Sequence, residues 1–111
     1  MLIEQFSREL VDGIRGVLGQ QVTSIILYGS VARGIETEDS DIDIALIVNK
    51  ELDHITEELL SEFVVDMNLK HDRVFSVIDI ENDVIRELED IVPFYRNIMR
   101  EGIVLWDVVS S

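Results

Sequence analysis

The spacing of apolar positions changes several times along the chain, and each change marks an element. Ile3, Phe6, Leu10, Ile14, Val17 and Leu18 recur three and four residues apart, which predicts a first helix over 2–18 with Gly19 as its stop. Gly13 and Gly16 weaken that helix slightly. Val22 to Tyr28 is a β-branched and aromatic run ending at Gly29, so it reads as a strand. Residues 35–40 are a polar loop, and Asp41 to Val48 alternates before turning continuously apolar, as a central strand does. Leu52, Ile55, Leu59, Leu60, Phe63, Val64 and Met67 predict a second amphipathic helix over 51–70. A third strand follows over Asp72 to Asp79. Asn82 can cap a short helix over 83–90, and Pro93 suits the first turn of another over 93–101. Gly102 ends it, and Ile103 to Trp106 reads as a short last strand. This order predicts an α/β (α+β) two-layer domain, with helices packed on a small mixed sheet. Without a repeat, linker or low-complexity stretch, residues 1–111 are expected to form one domain.

Composition narrows the partners. An apolar fraction of 47% supplies a core at this length, and no apolar run approaches the ~20 residues that span a bilayer. The start of the chain lacks the basic segment of a secretory signal, and there are no cysteines for disulfides or thiolate metal sites. A cytoplasmic protein without a membrane partner is expected. Nine basic residues against 23 acidic ones give a net charge of −14, which argues against a nucleic-acid template because phosphate neutralisation dominates such binding. A small triphosphate neutralised by a divalent cation remains compatible with that charge. The acidity also serves solubility.

The segment that carries chemistry is Leu27-Tyr28-Gly29-Ser30-Val31-Ala32-Arg33-Gly34, followed by Ser40-Asp41-Ile42-Asp43-Ile44. Gly29 lets backbone approach a phosphate closely, and Ser30 adds a hydroxyl donor. If residues 30–34 begin a helical turn, their amides point at the same anion. Arg33 can hold the turn or reach a phosphate. Asp41 and Asp43 stand two apart in a strand and so share a face, offering the hard oxygens that Mg²⁺ prefers. A Gly-Ser turn alone is common, and a lone Asp-x-Asp is usually a solvated strand edge. Together at adjoining strand ends they predict a phosphate cradle beside a metal-binding acid pair, suited to a nucleoside triphosphate and two Mg²⁺ ions.

These residues resemble the signature of the nucleotidyltransferase superfamily of DNA polymerase beta type, and of its smallest members, the minimal nucleotidyltransferase (MNT) proteins. The tail from Pro93 to Trp106 is similar to the ends of such proteins, so the resemblance covers almost the whole chain. It implies the nucleotidyltransferase fold, Mg²⁺ dependence, and transfer of a nucleoside monophosphate from an NTP, ATP first, to an acceptor hydroxyl. It also implies a third carboxylate on a neighbouring strand. Asp72 is favoured, because it opens the third strand as Asp41 and Asp43 open theirs, although Arg73 follows where the family has an apolar residue. Asp79 has the opposite parity, and a shifted alignment would put Ser76 there and leave the acid set incomplete. The expected catalytic and metal-binding set is thus Asp41, Asp43 and Asp72, with Gly29, Ser30 and Arg33 on the nucleotide.

The chain leaves no room for the helical domain that larger transferases place over the nucleotide. The resemblance implies that a HEPN-type helical protein supplies it, with this chain as the antitoxin of a toxin–antitoxin pair; self-association into a homo-oligomer is a further alternative. Two rival readings stand beside this one: a small-molecule transferase acting on an aminoglycoside-like acceptor, and a degenerate module that only binds nucleotide or partner. His54 and His71 have no partner at ligand or triad spacing, and no Gly-x-Ser-x-Gly or Gly-Lys-Ser/Thr motif occurs. Tyr28 could stack on a base, although a strand-end core tyrosine is the commoner case, and Phe94, Tyr95 and Trp106 read as core or a small interface.

Overall fold

A computed structural model of the chain describes residues 2–35, 37 and 39–109, with Leu2 and Ile3 described by their backbone alone. Its elements run α1 Leu2–Leu18, a 3-10 turn Gly19–Gln21, β1 Val22–Tyr28, α2 Gly29–Ala32, β2 Ile42–Val48, α3 His54–His71, β3 Phe75–Glu81, α4 Asn82–Leu88, α5 Pro93–Glu101 and β4 Ile103–Asp107. The polar loop expected over 35–40 separates α2 from β2, with Glu36 and Glu38 outside the described residues.

The four strands lie in the order β3-β2-β1-β4. Strand β1 is antiparallel to both β2 and β4, while β2 and β3 run parallel, so the sheet is mixed as expected. The crossover between the parallel strands is α3, which lies against α1 on one face. Phe6, Leu10 and Ile14 of α1 meet Ile25, Leu27, Ile42, Ile44, Leu46 and Phe75 there. Ile26, Ala45, Ile47 and Ile80 point the other way and pack with Ile85 of α4 and Ile98 of α5. Helices therefore cover both faces, one layer more than the sequence pattern suggested. Burial on both sides explains why β2 reads as a continuous apolar run after Asp43.

Several local details have direct causes. A Cβ at Gly13 would collide with the Phe63 ring, so this glycine, unfavourable for helix propensity, lets α1 and α3 approach closely. Asp53 accepts the Thr56 amide at 2.7 Å and caps α3, which sets the helix start three residues later than expected. Glu9 of α1 accepts from Lys70 and pairs with His71 at 2.7 Å, tying the two helices together near the surface. Those two partners hold the Glu9 carboxyl below the ordinary glutamate range, Lys70 first. His71 also stands edge-on to Phe75, so it is a structural contact rather than a fully solvated helix end.

Candidate active site at the ends of the first two strands

The site begins where β1 runs out. Tyr28 keeps an extended backbone, and Gly29 then turns the chain into the single helical turn α2 at φ +75°. Gly29 is required twice over. A side chain is strained at that angle, and a Cβ there would overlap Asp43 Oδ2 and sit 3.2 Å from its Cγ. Val31 is buried and anchors the turn in the core. Bonds from the amides of Arg33 to Gly29 O (3.2 Å), Gly34 to Val31 O (3.2 Å) and Ile35 to Ser30 O (3.1 Å) close it. The amides at the start of such a turn have no acceptor within it.

Asp43 lies in register opposite Tyr28 on β1. Strand β2 starts at Ile42, one residue later than the sequence pattern suggested, so Asp41 immediately precedes the strand, near enough for its charge to act on Asp43. Partial burial raises the Asp43 carboxyl above the ordinary aspartate range, Asp41 adds repulsion, and Arg33 offsets part of this. Tyr28 is raised as well, by burial first and then by the Asp43 charge. Arg33 is itself shared with Glu101 at the end of α5, 3.8 Å away, with both side chains about half exposed. The acid pair is thus incompletely compensated by the protein, and its hard, clustered oxygens fit a divalent cation such as Mg²⁺.

Asp41 is fixed from both sides. Arg73 donates from Nη2 to the Ser40 carbonyl at 2.8 Å, and the Ile42 amide donates to Val74 O at 2.8 Å. Ser40 Oγ also accepts the Thr37 amide at 2.9 Å, closing the loop on itself. The start of β3 therefore holds the residues that flank Asp41. Arg73 was notable in the sequence only as a departure from an apolar position; its guanidinium has this positioning task.

The third-acid expectation is corrected by the register. Strand β3 starts at Phe75, because Asp72 caps α3 in the left-handed conformation at φ 52° and is not yet in the strand. Asp72 is exposed on a groove of about 310 Å³ lined also by Asp39, Asn68 and Arg73. Ser76 is the residue in register with Asp43 on β3 and shares its face. Asp79 pairs with Leu46 and lies on the α3 side of the sheet, beside Glu57 and Ser61. Among the described residues no group of three acidic or histidine side chains is placed to hold a metal. Asp41 and Asp43 come together with Gly29, Ser30 and Arg33; Asp72 and Asp79 do not join them. Phe94 is an addition the sequence did not single out for the site: its ring stands edge-on to Tyr28, with centroids 5.8 Å apart.

Residues 14–108 match the family model described as polymerase beta, nucleotidyltransferase. The chain therefore belongs to the polymerase beta nucleotidyltransferase family, and its enzymatic class is nucleotidyl transfer. A chain of Methanocaldococcus jannaschii named as a protein adenylyltransferase is 30% identical over 103 residues, spanning 93% of this chain and 97% of that one. Among solved structures, a chain of a toxin–antitoxin complex with AMP-PNP is similar at a TM-score of 0.62 and 20% identity, over 91% of this chain and 73% of that one. A chain from the complex of tri-AMPylated Shewanella oneidensis HEPN toxin with MNT antitoxin is similar at a TM-score of 0.58 and 17% identity, over 96% and 74% of the two chains. These likenesses confirm the fold. Among the described residues no helix is long and apolar enough to cross a membrane.

Proposed function

We propose that this chain transfers AMP from ATP to a hydroxyl on a helical partner protein of HEPN type, as the antitoxin of a two-protein pair. The observation that carries this reading is the seating of the Gly29 turn directly against Asp43, with Asp41 beside it. That contact joins a phosphate cradle to an acid pair at one point. In this reading the α2 amides and Ser30 Oγ bind the β- and γ-phosphates, and Arg33 neutralises part of their charge. Asp41 and Asp43 hold Mg²⁺, which when bound supplies positive charge for the leaving pyrophosphate and a lowered pKa for the acceptor hydroxyl. Asp43, partly buried, is held in place against the Gly29 turn, and Arg73 keeps Asp41 in place through Ser40, so that the acid pair is positioned before substrate binds. The acceptor oxygen bonds to the α-phosphorus, the bond to the pyrophosphate oxygen breaks, and the hydroxyl proton leaves to the nearest carboxylate or water.

The adenylyltransferase name of the Methanocaldococcus relative supports ATP as donor, and the toxin–antitoxin neighbours support a HEPN-type acceptor. Ser76 favours a second reading: with a hydroxyl in register with Asp43, the chain binds nucleotide and partner but turns over slowly or not at all. Mass spectrometry of a HEPN-type helical protein co-expressed with this chain separates the two. Co-expression with the wild-type chain adds AMP to the partner under the first reading, and co-expression with D43N does not. Under the second reading the partner stays unmodified with both chains and is still neutralised.

A further inference from the structure

Outward from Asp43 the site continues into aromatic side chains. Tyr28 is its cross-strand neighbour on the same face of the sheet. Phe94, in the first turn of α5, meets Tyr28 edge-on at 87° and Tyr95 at 56° with centroids 5.7 Å apart. Two neighbouring rings thus hold Phe94, yet its residue remains 47% exposed. Exposed apolar residues are ordinary on protein surfaces, and Ile91 and Val109 are more exposed still. Phe94 differs in being a half-exposed ring in contact with Tyr28, which is itself the cross-strand neighbour of Asp43. Charge supplies the second consideration. A chain of net charge −14 repels a triphosphate at distance, and Arg33 is shared with Glu101. Nucleotide affinity on such a surface calls for a contact that does not depend on charge, and base stacking on an aromatic face is one.

We propose that the exposed part of the Phe94 ring is the stacking surface for the purine base of the nucleotide whose phosphates lie at Gly29 and Ser30. This rests on the nucleotidyltransferase reading of the site and deepens it: the same groove takes phosphates at α2 and base at the start of α5. Stacking of this kind tolerates any base but rewards the larger π surface, so ATP and GTP bind more tightly than UTP and CTP.

Calorimetric titration of the full chain with Mg-ATP, Mg-UTP and Mg-tripolyphosphate tests it, on the wild type and on F94A, F94W and D43N. F94A weakens Mg-ATP by about tenfold, F94W retains wild-type affinity, and tripolyphosphate binding changes less than about twofold in both. The added indole of F94W is quenched by ATP and not by tripolyphosphate, relative to the signal of Trp106 in the wild type. Equal weakening of ATP and tripolyphosphate by F94A, or no weakening of ATP, overturns the stacking surface alone, provided D43N still abolishes tripolyphosphate binding. Wild-type chain that binds neither ligand, or binds both regardless of D43N, overturns the nucleotide site and the stacking surface with it. Circular dichroism of F94A separates loss of the ring from loss of the fold.

Discussion

Gly29 and Asp43 leave no room for a side chain between them: a Cβ on Gly29 would overlap the Asp43 carboxylate. Turn and acid are therefore one unit, built from the end of β1 and the start of β2. The positive φ of Gly29 alone makes G29A costly, by about 1–2 kcal/mol of stability. The added methyl must also displace Asp43, and misplacing a reacting group by about 1 Å costs on the order of 10²-fold in rate. G29A is expected to unfold at lower denaturant concentration than the wild type and to lose transfer about a hundredfold. A variant with both properties unchanged would show that the two residues do not depend on each other.

Asp43 carries a carboxyl held above its ordinary range by burial and by Asp41, against the pull of Arg33. An acid raised in the folded state binds more protons there than in the unfolded chain over the window between the two pKa values. Stability therefore falls as pH rises through that window, and the ionised carboxylate is a burden at neutral pH. Metal-free D43N is expected to melt above the wild type at pH 7, with the gap closing as pH is lowered past the folded pKa. Mg²⁺ is expected to raise the wild-type Tm and not that of D43N. Scanning calorimetry at several pH values checks both; a lower Tm for D43N at pH 7 would contradict the strained-acid account.

Arg73 acts on Asp41 at one remove, through the Ser40 carbonyl. R73A is expected to lower kcat by about tenfold or more with KM for ATP little changed, because loss of positioning affects the transition state more than ground-state binding. The Mg²⁺ concentration for half-maximal activity should rise with it, and R73K should recover part of the loss. A change in KM alone would remove Arg73 from this role.

Much of this arrangement was legible in the chain. Strands and helices followed from periodicity, and Gly29, Ser30, Asp41 and Asp43 stood out because a turn and an acid pair fell at adjoining strand ends. The start of β3 was not legible. Asp72 lies two residues from Val74 with the parity of Ser76, so it seemed to open the strand; the left-handed cap of α3 holds it outside. Register across a parallel pair depends on how the crossover helix packs, which alternation within one strand does not encode. The second helical layer was missed for a related reason, since α4 is short and its contribution to the core is the single buried residue Ile85. Phe94 falls in the family-like tail but carries no site signature there, and its place beside Tyr28 appears only when α5 folds back onto β1.

Ser76 offers a gain-of-function test. It shares a face and a register position with Asp43, so S76D would place a third carboxylate beside the pair. Transfer is expected to rise by about tenfold or more if proton removal from the acceptor limits the rate, a part of the 10²–10⁴-fold that a well-placed general base contributes. The same substitution should shift the activity profile to lower Mg²⁺. Unchanged activity would show that Ser76 already serves, or that another group takes the proton.

The central claim is that Asp41 and Asp43 carry nucleotidyl transfer to a partner. Purified complex of this chain with a HEPN-type helical protein, incubated with α-labelled ATP and Mg²⁺, tests it most directly. Label is expected on the partner's band with the wild-type chain, with loss of at least a hundredfold in D41N and in D43N and none without Mg²⁺. Equal labelling by wild type and both variants, or no labelling while the chain still neutralises its partner, would contradict the account.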